Sequence, residues 1–155
     1  MSENLAYTDA YLREVEATVV ETDADAHAVL LDRTVYYPGG GGQPADTGEL
    51  AGASGGTWRV VGARKRGEDV WHTVHADDEL PAVDTQVTAR LDWERRHALM
   101  RTHSALHVLC GVVWSEFAIP VTGGNMEPGS GRPDFPPVSL SAELGKRLGA
   151  RINEG

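Results

Sequence analysis

At 155 residues with 41% apolar side chains, the chain is the size of one domain or of two small ones and can bury a core of its own. A charged start leading into an apolar stretch is absent, as is any apolar run of about 18 residues, so neither secretion nor membrane insertion is signalled and a cytoplasmic protein is expected. Its 23 acidic residues face 14 basic ones, only Lys65 and Lys146 being lysines, for a net charge of -9, which argues against a uniformly basic surface and fits adaptation to high salt.

Residues 15–21 (VEATVVE) and 26–32 (AHAVLLD) are rich in β-branched and apolar side chains and flank the acidic turn TDADA, the pattern of a hairpin. Further strands fit 34–37, 57–63, 68–75 and 85–91, with turn signals at PGGGGQP, GASGG and KRGED. Residues 1–90 therefore predict a small glycine-rich antiparallel β barrel or sandwich. Asp92 is a fitting N-cap for the proline-free run WERRHALMRTHSALHVLCGVVWSEF, which predicts one long helix, with Gly111 as a point where it can bend. Pro120 stops it, a stretch with four glycines and five prolines over 120–137 reads as irregular, and a second helix fits 141–153. The fold class expected is α+β: a β domain over 1–90 and an α/β domain over 91–155.

The long helix carries the first chemical pattern. His103 and His107 stand four apart, on one helical face, and can turn their ring nitrogens to a common point, as a zinc pair requires. Hydrogen-bonded helix histidines with no ligand role fit the same spacing. Ser104 stands where H-E-x-x-H metalloproteases carry glutamate, which argues against that chemistry. Zinc takes three protein ligands plus water in catalytic sites, or four in structural ones. Cys110, on the same face as His103, is a further candidate ligand or else a core thiol; His97 faces elsewhere, His72 suits a structural role in a strand, and His27 and His75 show no pattern.

The second pattern is TVYYPGGGGQPADTG, whose four consecutive glycines permit positive φ and close backbone approach. It is neither a phosphate-binding Walker loop nor a dinucleotide fingerprint, and a plain flexible loop remains the simpler reading. It offers Gln43 and Asp46 on a tight turn, with Thr34 upstream. Basic residues gather at Arg64, Lys65 and Arg66 and again at Arg95, Arg96 and Arg101, both able to meet phosphate or to be ordinary solvated charges.

Taken together, DRTVYYPGGGGQPADTG (32–48), LDWERRHALMRTHSALHVL (91–109) and RPDF with a closing ARIN segment resemble the freestanding alanyl-tRNA editing proteins of the AlaX type and the editing domain of alanyl-tRNA synthetase. The resemblance implies a glycine-rich β domain followed by an α/β editing domain with a long metal-ligand helix. It implies zinc-dependent hydrolysis of seryl or glycyl esters from tRNA specific for alanine. His103 and His107 match the first two zinc ligands, Gln43 the glutamine of the active-site glycine loop, and Thr34 a threonine that meets the substrate side chain. The remaining two ligands in the family come from a later C-x-x-x-H motif, whereas here no cysteine follows Cys110 and no histidine follows His107. The expectation is a truncated editing domain, with Cys110, His97, a homodimer partner or a second chain completing the site. The rival readings are a catalytically incomplete tRNA- or partner-binding module and a generic zinc hydrolase of another small ester or amide.

Overall fold

The computed structural model describes residues 2–136 and 142–154. In chain order these form β1 (Glu3–Asn4), a single 3-10 turn (Leu5–Tyr7), β2 (Glu14–Asp23), β3 (Ala28–Leu31), β4 (Arg33–Thr34), β5 (Gly48–Gly52), β6 (Thr57–Arg66), β7 (Asp69–Val74), β8 (Gln86–Leu91), α1 (Trp93–Phe117), β9 (Gly123–Glu127), β10 (Ser130–Asp134) and α2 (Ala142–Glu154). The mixed α+β class expected from the pattern is what forms. The chain falls into two compact units, one of Met1–Gly40 with Pro44–Arg96 and one of Gly41–Gln43 with His97–Gly155.

The first unit is a closed six-stranded barrel in the order β2-β3-β7-β6-β5-β8, every neighbour antiparallel. Alternation drives it: on β8, Val87, Ala89 and Leu91 are buried while the residues between them are more open, the period-two signature of a strand with one face on a core. β3 is buried on both faces. Its Val29 and Leu31 join the barrel core, while Ala28 and Leu30 pack outside with Trp71, whose ring carries the Arg66 guanidinium at 4.8 Å from its centroid.

Within this unit two features depart from expectation. β5 (GELAG) is a strand that its composition hides, because glycine lowers strand propensity and one of its glycines serves a close approach. A side chain at Gly48 would strike the Arg90 carbonyl oxygen and the Tyr36 hydroxyl, and that hydroxyl shares its one proton between Arg90 O (2.6 Å) and the more distant Glu49 O (3.2 Å), tying β5 to β8. Conversely, the strand expected over 34–37 keeps ladder pairing only at Arg33–Thr34, where β4 pairs in parallel with β1.

The first turn of α1 still belongs to the first unit, where Asp92 accepts the backbone N–H of Arg95 on its carboxylate (3.1 Å), the expected N-cap, and the helix from His97 onward belongs to the second. It runs unbroken through Gly111 and ends at Phe117, after which Ala118 takes a positive φ of 52° ahead of Pro120. The stretch expected to be irregular instead holds the β9–β10 hairpin, with Ser130 opposite Glu127 and Asp134 opposite Gly123. The second helix occupies Ala142–Glu154; residue 141, where it was expected to start, lies outside the described residues, as does residue 137 of the irregular stretch. No helix among the described residues is long and apolar enough to cross a membrane.

Candidate functional site

The glycine loop is built to carry Gln43. Gly39, Gly40, Gly41 and Gly42 all adopt positive φ (86°, 137°, 58° and 81°), a run that residues with a Cβ rarely follow. At Gly42 a second requirement applies, because an added Cβ would stand 2.7 Å from the Gly124 carbonyl oxygen of the hairpin. The Gly42 carbonyl in turn accepts the backbone N–H of Met126 (3.1 Å). Gly42 therefore lies against β9 through a backbone approach that leaves no room for a side chain.

Gln43, only 9% exposed, meets His103 there: its Oε1 lies 2.8 Å from His103 Nδ1. A carbonyl oxygen can only accept, so His103 carries its proton on Nδ1 and leaves Nε2 with a bare lone pair. The His107 ring stacks on it, centroids 4.9 Å apart and planes 7° from parallel. Burial, and then the neighbouring His107, hold His103 below the usual imidazole range, favouring the neutral ring that can ligate a metal. The two rings, Gly41, Gly42, Leu106 and Cys110 are among the lining of a cavity of about 320 Å³, at the small end of the range for ligand sites.

As a zinc site this fits in kind but not in number. Two adjacent imidazoles are suitable donors, yet zinc takes at least three protein ligands, and no group of three or more His, Cys, Asp or Glu side chains among the described residues is arranged to hold an ion. Cys110 is half-buried and shares the cavity without completing such a set.

Thr34 belongs to the other unit and has no exposed surface. His72, fully buried in the barrel, donates from Nδ1 to Val29 O (3.3 Å), so its Nε2 accepts the Thr34 hydroxyl (2.7 Å), and Thr34 Oγ1 accepts the Tyr36 N–H (3.1 Å). That hydroxyl thus donates to His72 and accepts from Tyr36 inside the barrel, where it has no exposed surface for a substrate hydroxyl to meet. Burial pushes the His72 pKa down to about 4.

The basic clusters divide. Arg66 pairs with Asp23 (2.6 Å) and Lys65 lies 3.8 Å from Glu68, both at the surface. Arg96 is no phosphate ligand. Only 3% exposed, it grips both oxygens of the equally buried Asp46 through Nε (2.9 Å each) and donates to Ala10 O (3.1 Å) and Val35 O (2.9 Å). Asp46 also accepts the Tyr37 N–H (2.7 Å), while its own N–H donates to Tyr37 O (3.0 Å), closing the base of the glycine loop. Sequence reading passed over this pair, although an Asp three residues beyond the glutamine and an Arg in the first turn of a helix were its available signal. It also passed over the hairpin backbone at Gly124 and Met126, which a stretch crowded with proline and glycine concealed.

Residues 4–95 match the family model described as tRNA synthetases class II (A). Over 140 residues the chain is 39% identical to the alanyl-tRNA editing protein AlaX-M of Methanosarcina mazei, covering 87% of this chain and 55% of that protein. It is 36% identical over 137 residues to the AlaX-M of Saccharolobus solfataricus, covering 87% and 56%. With the alanine–tRNA ligase of Pyrobaculum calidifontis it shares 45% identity over 105 residues, 68% of this chain and 11% of the ligase. The chain spans about half the length of the curated AlaX-M relatives it matches, 55% in the first case. The resemblance to alanyl-tRNA editing proteins read from the glycine loop and the histidine helix is borne out.

Proposed function

The chain belongs to the class II (A) tRNA synthetase family, and we propose that it is a trans-editing hydrolase that cleaves seryl or glycyl esters from mischarged tRNA specific for alanine, with zinc at His103 and His107. The observation that carries this reading is the junction of Gln43 with His103 at a small cavity, in a chain whose relatives are named for alanyl-tRNA editing.

The reaction asks for a positioned water and for donors facing the oxyanion that develops on the ester carbonyl. Zinc, when bound, supplies a polarised carbonyl or a water acidified toward neutrality. The chain's own part is to hold two imidazoles side by side, to bring the backbone of Gly41 and Gly42 to the cavity wall without side chains, and to keep the cavity small enough to select a short aminoacyl group. A third ligand would come from Cys110, from a second copy or from another chain. Thr34 remains the residue assigned to the substrate hydroxyl, on condition that the barrel opens to expose it. A site that bonds a hydroxyl discriminates far more strongly than one that senses size alone, and Thr34→Val with unchanged preference for seryl over alanyl ester would remove that role.

The test is deacylation of seryl-tRNA specific for alanine by the purified protein in high salt with added zinc, beside His103→Ala. Zinc-dependent cleavage abolished by the substitution is expected. A folded protein that binds this tRNA and releases no serine would instead be a binding module without hydrolysis.

A further inference from the structure

Three of the chain's four tyrosines take part in ring pairs on the barrel unit. Tyr7 stands edge-on to Tyr37 with centroids 6.1 Å apart, and Tyr11 is tilted against Trp93 at 5.8 Å. Tyr7 and Tyr11 are 63% and 65% exposed, and the exposed Arg13 lays its guanidinium over the Trp93 ring, 4.5 Å from the centroid. Single exposed apolar residues are ordinary, whereas a group of them rimmed by polar side chains marks an interaction surface. We infer that Tyr11, Trp93 and Arg13 form a docking surface for an unpaired stretch of RNA: Tyr11 stacks a base, Arg13 meets an adjoining phosphate, and Tyr7 extends the platform. This deepens the proposed function and rests on it for tRNA as the source of the strand, though not for the stacking.

Charge points to a nucleic acid. Arg33, Arg59, Arg66, Arg90 and Arg96 of the same unit each lie in an ion pair, whereas among the described residues Arg13 has no carboxylate within 4.0 Å, in a chain where 23 acidic residues face 14 basic ones. The carboxylates near it in sequence are engaged: Asp9 accepts the Tyr11 N–H (2.9 Å), Glu14 accepts from Arg90 (2.8 Å), and Asp92 caps α1. A guanidinium lying on a ring keeps its N–H donors at the edge of its plane, free to meet phosphate oxygens. The backbone that presents these side chains is fixed, since Arg13 O accepts the Leu91 N–H (2.9 Å) and Ala10 O accepts from Arg96 (3.1 Å). Little ordering is therefore left for binding to impose. Tyr7 and Tyr11, four residues apart, have Cα atoms no more than about 14 Å from each other, so one short strand reaches both. Stacking also suits an acidic chain: it needs no long-range attraction for a polyanion, and it survives salt that screens phosphate contacts. The strand must be unpaired, because bases inside a duplex are already stacked on one another.

The test is binding of fluorescently labelled hexaadenylate to the full chain, read by anisotropy, with a blunt RNA duplex as competitor. The parent is expected to bind the single strand and to be displaced poorly by the duplex. Tyr11→Ala should weaken binding by roughly 5- to 150-fold, the equivalent of one lost base stack, and Tyr11→Phe, which keeps the ring, should restore it. With one phosphate met by Arg13, a fourfold rise in salt should weaken the parent by only about 2.6-fold, and Arg13→Gln should remove that dependence. Arg64→Ala is the control for charge alone, because among the described residues Arg64 has neither a carboxylate in ion-pair range nor a ring against it. Tyr11 stands outside the barrel core, so its variants should keep the parent's circular dichroism. Tyr11→Ala that binds as tightly as the parent, Tyr11→Phe as weak as Tyr11→Ala, or Arg64→Ala as costly as Arg13→Gln would each overturn the inference. So would Tyr11-dependent capture of a proline-rich peptide by a protein indifferent to hexaadenylate, which would give the surface to a protein partner. Hexaadenylate carries no aminoacyl ester. Stacking without deacylation of seryl-tRNA therefore removes only the editing reading, and deacylation without stacking removes only this surface.

Discussion

The two units of this chain are stabilised on different terms. Fourteen buried residues, from Ala17 to Leu91, form one continuous core inside the barrel, whereas in the second unit the buried apolar side chains among the described residues are Leu99, Val113 and Met126. Over the same unit Val108, Trp114 and Val121 stand 47% to 57% exposed. Burial of apolar area is the dominant favourable term in folding, so the barrel has a core of its own while the unit bearing the histidines buries few apolar side chains among the described residues. What fixes the site is local hydrogen bonding: helix capping, the hairpin backbone and the Gln43–His103 bond.

That contrast can be broken at the barrel first. Arg96→Ala leaves the Asp46 carboxylate buried with only the Tyr37 N–H as partner and should cost about 3–5 kcal/mol, the range for stripping one member from a buried ion pair. Urea denaturation read by far-ultraviolet circular dichroism measures it. A loss below about 1 kcal/mol would mean that Asp46 finds water or neutralises itself, and that the base of the glycine loop is softer than its hydrogen bonds imply.

A smaller effect is expected from pH, and its sign follows from His72. Folded, this ring stays neutral down to about pH 4; unfolded, it takes up a proton near its ordinary value of about 6.5. Between those values the unfolded chain binds the extra proton, so stability rises with pH across the window. Full stability is expected above about pH 6.5, with roughly 3 kcal/mol lost by pH 4. Urea midpoints at pH 7, 5.5 and 4 should fall in that order, and His72→Gln should flatten the slope. A parent slope no steeper than the variant's would place protonation elsewhere in the molecule.

The barrel and the long helix were legible because their signals are repetitive: alternation over β2 and β8, an aspartate before α1, and no proline for the helix's length. His103, His107 and Gln43 stood out by spacing and by the oddity of four glycines. What stayed hidden depends on contacts distant in sequence. β5 exists because Gly48 lets β8 and Tyr36 approach, and the β9–β10 hairpin forms in a segment whose glycines and prolines read as breakers. Arg96 read as a surface charge until its partner Asp46, fifty residues away in sequence, enclosed it. Thr34 was legible as a residue but not as a partner of His72, since nothing in either local segment announces the other.

The smallest effect tests the other half of the contrast. Trp114, 57% exposed on α1, contributes little burial in this structure, and glutamine is at least as good a helix former. Trp114→Gln is therefore expected to shift stability by no more than about 0.5 kcal/mol, the usual span for surface positions away from special features. Sedimentation of the parent and variant over a hundredfold range of concentration gives the same answer another way: equal, concentration-independent behaviour means that the ring faces water. A loss above about 1 kcal/mol, growing with protein concentration, would show that Trp114 is covered by a second copy in solution. The second unit would then be completed by association, and a ligand donated across that contact would become the first place to look for the rest of the metal site.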